Sequence, residues 1–517
     1  PARDLLFDSN RYKHQVDVLN KITTSLSYDL PHTSLLIGIA EQTSDNFSPN
    51  LFNSFVLVSN GSWEVVARKQ LLPTYDIFDD KRYFQPAKST SVINIKTKNK
   101  NWLIGITICE DLWVEKELQG HRTKGPDPLE ELEKNKIDLL LNLSASPFTH
   151  SKEFIRHKLA QKACKRLNCS TIYLNQIGGN DELIFDGSSF VMNPQGEIIL
   201  SLPKCKEALI FWDTSQQNKL QSLTSIDNQE NLFRSLVLGV KDYCSKCGFR
   251  TALIGLSGGI DSALVATIAT AALNPQDVTA VLMPSPWSSP SSTKDALALA
   301  ERLDIKTKII PIDGLMSTFD STLLQGLDEL PKDITSENLQ ARIRGTLLMA
   351  IANQQNHLLL STGNKSELAI GYCTLYGDMN GGLSVIGDLY KTSVFKLCDW
   401  LDSDESFACR NEMGLLNKAA LIGSEIRQKA PSAELRKDQL DTDSLPPYEV
   451  LDPILKGIIE DRLEEKELMN LGYQKEIIQE IKYLLKKAEF KRRQAPPLLK
   501  VSNQAFGSGW RIPIASK

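Results

Sequence analysis

No run within the 517 residues approaches the roughly 18 uninterrupted apolar positions that a membrane-spanning helix needs, which excludes a helical membrane protein. Charge of one sign is missing too. The 59 basic and 63 acidic side chains are mixed along the chain for a formal net charge of −4, so there is no electrostatic footprint for nucleic acid or an anionic bilayer. Small-molecule partners are expected instead. The six histidines form no HxxxH or HExxH pattern, and Gly-Lys-Ser/Thr occurs nowhere, which removes zincin-type metal helices and the GxxxxGK[ST] phosphate loop. Nine cysteines (109, 164, 169, 205, 244, 247, 373, 398, 409) show no disulfide framework, and no charged leader with an apolar stretch precedes them. A reducing cytoplasm is the expected compartment. Cys244 and Cys247 make a lone CxxC without a second pair at zinc spacing and are set aside.

What is present is a globular composition, 41% apolar and 24% charged, on a chain too long for one core. Two domains are expected, 1–222 and 223–517, divided within the polar, unpatterned tract 214–229. The first reads as short strands and turns. SFVLVS, Asn60-Gly61 and SWEVVARK form a hairpin signal, and a second hairpin flanks Pro194-Gln195-Gly196. DLLLNLS and TIYLNQI read as buried strands, with the helix EFIRHKLAQKACKRL between them. Beyond the tract, strand and helix alternate from TALIGL to HLLLST, the pattern of a doubly wound parallel sheet.

LIGLSGGIDSALV (253–265) sets two glycines and two serines between a buried strand and a helix. Gly258 and Gly259 admit phosphate oxygens to backbone N–H groups, Ser257 and Ser262 add hydroxyls, and the helix N-terminus adds its positive dipole end. Asp261 can hold Mg²⁺ beside them. In LLLSTGNKSE, Thr362 leaves an apolar strand and Glu367 follows as a possible second Mg²⁺ or substrate ligand. In SENLQARIRGTLLMA, Asn338 and Arg342 share a helical face, and Arg342 and Arg344 suit a carboxylate or phosphate. The loop resembles the PP-loop, SGGxDS, of ATP pyrophosphatases, which cut ATP between its α and β phosphates.

SGGIDS, ENLQARIRG, STGNKSE, GYCTLYGDMNGG, DLYKT, SAEL, DTDSLPPY and KRRQAPP occur in the order seen in NAD synthetases, and the resemblance covers essentially the whole second domain. It implies an adenine-nucleotide α-hydrolase-like fold and amidation of deamido-NAD to NAD through an adenylated intermediate. By the same resemblance, Gly255, Leu256, Ser257, Gly258, Gly259, Ile260, Asp261 and Ser262 hold the ATP phosphates, with Thr362 and Lys391 also on ATP. Asn338, Arg342, Glu367, Asp378 and Lys491 then contact deamido-NAD, and Asp261 and Glu367 carry Mg²⁺. A homo-oligomer paired through the synthetase domain is expected. GMP and asparagine synthetases share the ATP loop but not this set.

Cys109 in TICEDLW ends an apolar run and, taken alone, reads as a small core side chain before it reads as a nucleophile. Three segments bear on it. ARKQLLPTYDIFDDKRYF, LNLSASPFTHSK and GGNDELIFDGSSFV resemble the nitrilase-like glutaminase domain of long-form NAD synthetases, which implies an αββα sandwich with Cys109 as nucleophile on the glutamine amide. Lys69 then stabilises the tetrahedral intermediate, and Tyr75, Ser146 and Lys152 bind glutamine. Glu110 and Asp111 are read as structural. The family's general base is a glutamate after its first strand, in a segment like PELALTGYP just upstream of one like PARDLLF. With the sequence opening at Pro1, that strand and base are expected to be missing, and Glu41 does not match the base motif. Asp80 stands where the family has glutamate. Two enzyme readings stay open: ammonia passing from the Cys109 site to the Asp261 site, or an ammonia-dependent synthetase with an inactive amidase. A non-catalytic nucleotide-binding scaffold is the third.

Overall fold

A computed structural model of the chain describes residues 3–43, 48–98, 100–216, 227–415 and 420–515. Two compact units emerge: Pro1–Ile177 with Phe185–Ser225, and Gly178–Ile184 with Ile226–Lys517. The boundary expected at 222 lies outside the described residues. The short segment Gly178–Ile184, expected in the first domain, groups with the second unit. Its backbone explains why: Gly179 N–H donates to Asp242 Oδ2 at 2.7 Å, and the Glu182 carbonyl accepts from Lys500 N at 2.8 Å.

The first unit contains two sheets. Strands β1 (Leu35–Gln42), β2 (Leu51–Ser59) and β3 (Ser62–Arg68) form one, fully antiparallel. The β2–β3 turn is two residues long, with Asn60 at φ 50° and Gly61 at φ 74°, the left-handed geometry that such a hairpin requires and that Asn-Gly supplies. The other sheet uses β4 (Ser91–Lys96), β5 (Asn101–Ile108), β6 (Leu139–Ser144) and β7 (Ser170–Asn175). After β8 (Ile177–Asn180) and β9 (Leu183–Asp186), which pair only with each other and fall largely within the segment grouped with the second unit, β10 (Phe190–Met192) and β11 (Ile198–Ser201) complete it in the order β11-β10-β7-β6-β5-β4.

The period of two along β2 sorts its side chains. Val56 and Val58 pack under the helix Ser9–Asp29 through Leu19, whereas Phe55 packs with Ile106 and Ile108 of the second sheet. The second sheet's far face is covered by Leu132, Leu159 and Ala163 of the helices Pro128–Asn135 and Lys152–Leu167. The layers are helix, sheet, sheet, helix, as expected for an αββα sandwich.

In the second unit, β12 (Ala252–Gly255), β13 (Val278–Leu282), β14 (Lys306–Ile309), β15 (Leu358–Ser361) and β16 (Leu383–Ser384) pair in parallel in the order β14-β13-β12-β15-β16. The chain winds outward from β12 in one direction and returns through β15 in the other. The carboxyl ends of β12 and β15 therefore flank the topological switch point, where open sheets of this kind bind ligands. The helix Ile260–Ala272 leaves that point nearly wholly buried, which suits a segment apolar on every face. Among the described residues, no helix is long and apolar enough to cross a membrane.

Candidate active sites

Residues 255–262 turn from β12 into the helix Ile260–Ala272, and their hydroxyls brace one another. Ser257 Oγ lies 3.1 Å from Ser262 Oγ, Gly259 N–H donates to Ser257 Oγ at 3.2 Å, and Ser262 Oγ donates to the Gly259 carbonyl at 3.0 Å. Gly258 sits at φ 82°, and a Cβ there would lie 2.2 Å from the Ser292 carbonyl oxygen, so only glycine fits. A cavity of about 420 Å³ opens beside the loop and is lined by its residues except Gly258. Thr362, Glu367, Lys391, Asn338, Asp378 and Lys491 line the same cavity.

Asp261, in the first helical turn, forms an ion pair with Lys391 and accepts from Asn364 Nδ2 at 3.2 Å. Asn364 and Glu367 cap the short helix Lys365–Ile370 reciprocally, at 3.0 Å each way, which fixes the Glu367 carboxylate beside Asp261. Burial, then repulsion from Asp261, lifts the Glu367 carboxyl to about 8. Lys391 is held protonated against its own burial by Asp261 and Glu367. In sequence between Asn364 and Glu367, Lys365 is wholly buried and engages Asp388 Oδ1 at 2.9 Å, Glu460 Oε1 at 3.2 Å, Ser502 Oγ at 2.6 Å and the Gln504 carbonyl at 2.9 Å.

Opposite, the segment around 371–380 is tied down by the side chains that the family resemblance assigns to the dinucleotide. Lys491 Nζ donates to the Gly371 and Cys373 carbonyls at 2.8 and 2.7 Å, and Asn338 Oδ1 accepts from Thr374 Oγ1 at 2.7 Å. Asp378 accepts from Thr374 N at 2.7 Å, and burial lifts its carboxyl to about 6. Arg342 is exposed and bonds the Leu375 carbonyl at 3.3 Å, outside the cavity lining, whereas Arg344 of the same helix lines it. Asp441 also lines the cavity, accepts from Tyr448 Oη at 2.9 Å and has its charge close to Asp261 and Lys391. It opens the DTDSLPPY stretch, where nothing in the sequence distinguishes it from the aspartate two residues on. Among the described residues, no group of three or more His, Cys, Asp or Glu is placed to hold a metal; Asp261 and Glu367 are a pair.

In the first unit, Cys109 follows the last residue of β5 and adopts φ 49°, a left-handed backbone that is costly for a non-glycine residue and aims its side chain off the strand end. Asp111 staples this bend. Its carboxylate accepts from Ile108 N at 3.1 Å, Gln70 N at 3.1 Å and Leu71 N at 2.8 Å, while burial raises it to about 6. Glu110 accepts from Tyr75 Oη at 3.0 Å and Thr123 Oγ1 at 2.5 Å. Both adjacent carboxylates are thus engaged in holding the frame around the cysteine. Lys69, 5% exposed, pairs with Asp80 at 2.6 Å, so the shorter carboxylate keeps that contact. Burial pushes the Cys109 thiol up, the Lys69 ammonium pulls it down, and Glu110 and Asp80 push it up again.

Ser146 is buried at the end of β6, accepts from Arg156 Nε at 3.2 Å and donates its N–H to Asn175 at 2.9 Å. Lys152 Nζ stands 4.2 Å from the ring centroid of Trp113, the residue that ends the Cys109 turn. Ser144, whose hydroxyl helps to lower the Cys109 thiol, and Tyr173, whose own hydroxyl is raised by the charge of Cys109, are neighbours of the cysteine that the family resemblance does not single out. The parallel pairing of Ile108 with Leu143 places Ser144 one residue past the strand partner of Cys109's neighbour. These signs give a test. Alkylation of Cys109 by iodoacetamide, followed against pH, is expected to shift to higher pH in Lys69→Met, which loses the stabilising cation, and to lower pH in Glu110→Gln, which loses a repelling charge. Shifts of the same sign in both variants would contradict this electrostatic account.

The NAD synthase family model matches residues 232–495. The glutamine-dependent NAD(+) synthetase of Synechocystis is 46% identical over all of this chain and 90% of its own length. That of Acinetobacter baylyi is 36% identical with the same coverage. The solved glutamine-dependent NAD+ synthetase of Acinetobacter baumannii, in complex with ADP, superposes with a TM-score of 0.72 at 35% identity, covering 99% of this chain and 89% of that one. This chain belongs to the glutamine-dependent NAD(+) synthetases, ATP-using ligases that form a carbon–nitrogen bond.

Proposed function

We propose that the chain amidates deamido-NAD at the Asp261 cavity with ammonia that Cys109 releases from glutamine. At the cavity, a carboxylate oxygen of the nicotinate ring attacks the α-phosphorus of ATP, the bond to the bridging oxygen breaks, and pyrophosphate leaves with the electron pair. Ammonia then attacks the acyl carbon and AMP departs. The backbone N–H groups of 257–260 and the hydroxyls of Ser257 and Ser262 receive the phosphates, and Lys391 balances the charge that accumulates around phosphorus. Thr362 borders ATP, while Asn338, Asp378 and Lys491 shape the wall for deamido-NAD; Arg342 belongs at that wall's outer edge. Asp261 and Glu367 fit Mg²⁺: they are hard oxygen donors beside one another, and this cation commonly takes one or two carboxylates with phosphate oxygens and water. When bound, it supplies charge neutralisation at the phosphates.

At the other site the Cys109 thiolate attacks the amide carbon of glutamine, the carbon–nitrogen bond breaks, and water cleaves the glutamyl thioester to glutamate. Lys69 stabilises the oxyanion, with Tyr75, Ser146 and Lys152 around the substrate. The single observation that carries the synthetase reading is the convergence of loop 255–262, Glu367, Lys391 and Asn338 on one cavity. The ADP held by the Acinetobacter baumannii relative supports a nucleotide there. Purified chain given ATP, deamido-NAD and Mg²⁺ is expected to yield NAD, AMP and pyrophosphate in equal amounts with glutamine or with ammonium. Absence of pyrophosphate release dependent on deamido-NAD would sink the reading. Product from ammonium alone would select the ammonia-dependent alternative.

A further inference from the structure

Four cationic side chains line the cavity among the described residues: Arg344, Lys391, Lys429 and Lys491. Three are committed. Lys391 is buried against Asp261, Lys491 is spent on two carbonyls, and Arg344 donates Nε to the Met283 carbonyl at 3.2 Å. Lys429 differs. Its ammonium contacts Ser292 Oγ and lies 3.2 Å from Glu434 Oε1, with the two side chains 25% and 21% exposed. A partly solvated pair of that kind is worth little and exchanges readily. Glu434 is itself occupied by the Ser292 hydroxyl and by Ser289 N–H at 3.3 Å.

The position of this pair gives it meaning. Ser292 is the residue whose carbonyl presses on Gly258, so Lys429 stands one side chain away from the phosphate-binding loop. Ser288, Ser292 and Thr293 bring further hydroxyl donors to the same wall. Lys391, by contrast, stands at Asp261, in the loop's first helical turn.

Resting on the reading of this cavity as an ATP-cleaving site, we propose that Lys429, with Ser292, forms a subsite for the pyrophosphate leaving group. Lys429 exchanges Glu434 for a phosphate oxygen as the α–β bond breaks, and Glu434 recaptures it when the product leaves. Glu434 is thus a competing anion that keeps pyrophosphate from being retained.

The two partners predict opposite signs, which a merely structural role for the pair would not give. Inhibition by added inorganic pyrophosphate is measured on the full chain during NAD formation. In Lys429→Met the inhibition constant is expected to rise about 10- to 100-fold, the worth of one charge-assisted hydrogen bond, with Lys429→Arg restoring most of it. In Glu434→Gln, which keeps the shape of the side chain but not its charge, the constant is expected to fall. An unchanged constant in a folded Lys429→Met overturns the proposal. If that variant does not fold, Glu434→Gln decides: tighter pyrophosphate binding supports the proposal, and equal or weaker binding overturns it. A wild-type chain that releases no pyrophosphate overturns the functional reading and this one with it. A wild-type chain that does, with both variants unchanged, overturns this one alone.

Discussion

With Cys109 replaced by alanine, NAD formation from glutamine falls by about three orders of magnitude or more, the scale on which a covalent nucleophile is missed. The rate with ammonium salt stays at that of the unaltered chain. The asymmetry follows from where the sulfur sits. Cys109 lies in the first unit on a bend stapled by Asp111, whereas loop 255–262 lies in the second, so removing one sulfur atom leaves the ATP chemistry intact. Alanine is as strained as cysteine at φ 49°, so the bend itself has no new reason to change. NAD production measured under both nitrogen sources decides the matter, and equal glutamine rates in variant and parent would end the role of Cys109.

Lys391→Met has the opposite signature: NAD formation drops by about a thousandfold with either nitrogen source, while glutamine hydrolysis persists. Lys391 is 4% exposed and faces two carboxylates, Asp261 and Glu367, that already repel one another. Deleting the cation strands a partly buried charge, at a cost to stability of about 3–5 kcal/mol. Urea unfolding together with both nitrogen-source assays tests this. A variant within tenfold of the parent in ammonium-driven synthesis would contradict the placement of Lys391 at the reacting phosphates.

Local patterns are legible in the amino-acid sequence because each is written in adjacent residues. Asn60-Gly61 specifies its own left-handed turn, alternating apolar positions specify which face of β2 is covered, and a glycine pair between strand and helix specifies a tight bend with a left-handed Gly258. The sandwich and the doubly wound sheet follow from those local rules and from the family resemblance. What the sequence conceals comes from distance along the chain. Ser292 and Lys429 meet across a separation of 137 residues, and Asp441 joins Lys391 from a loop whose residues carry no periodic signal. Spacing alone makes Arg342 and Arg344 equal candidates for an anionic ligand. The cavity-facing stripe of their helix runs through 334, 337, 338, 341, 344, 345 and 348, which turns Arg344 inward and leaves Arg342 at the rim. Gly178–Ile184 joins the second unit through its own backbone groups, which bond the Asp242 carboxylate and Lys500 N and leave no sign in the segment's own side chains.

The buried ammonium of Lys365 imposes an order on the protein's synthesis. β12 and its loop are made near the middle of synthesis, but Lys365 finds Ser502 only 137 residues after its own translation. Until residues 500–504 arrive, the turn that carries Asn364 and Glu367 holds a cation lacking its Ser502 and Gln504 partners, so the wall beside Asp261 cannot settle. The cavity beside Asp261 is thus among the last parts of the molecule to be completed. A chain cut shortly before Lys500 would still contain the residues of all five strands of the sheet but would lack the groups that close around Lys365.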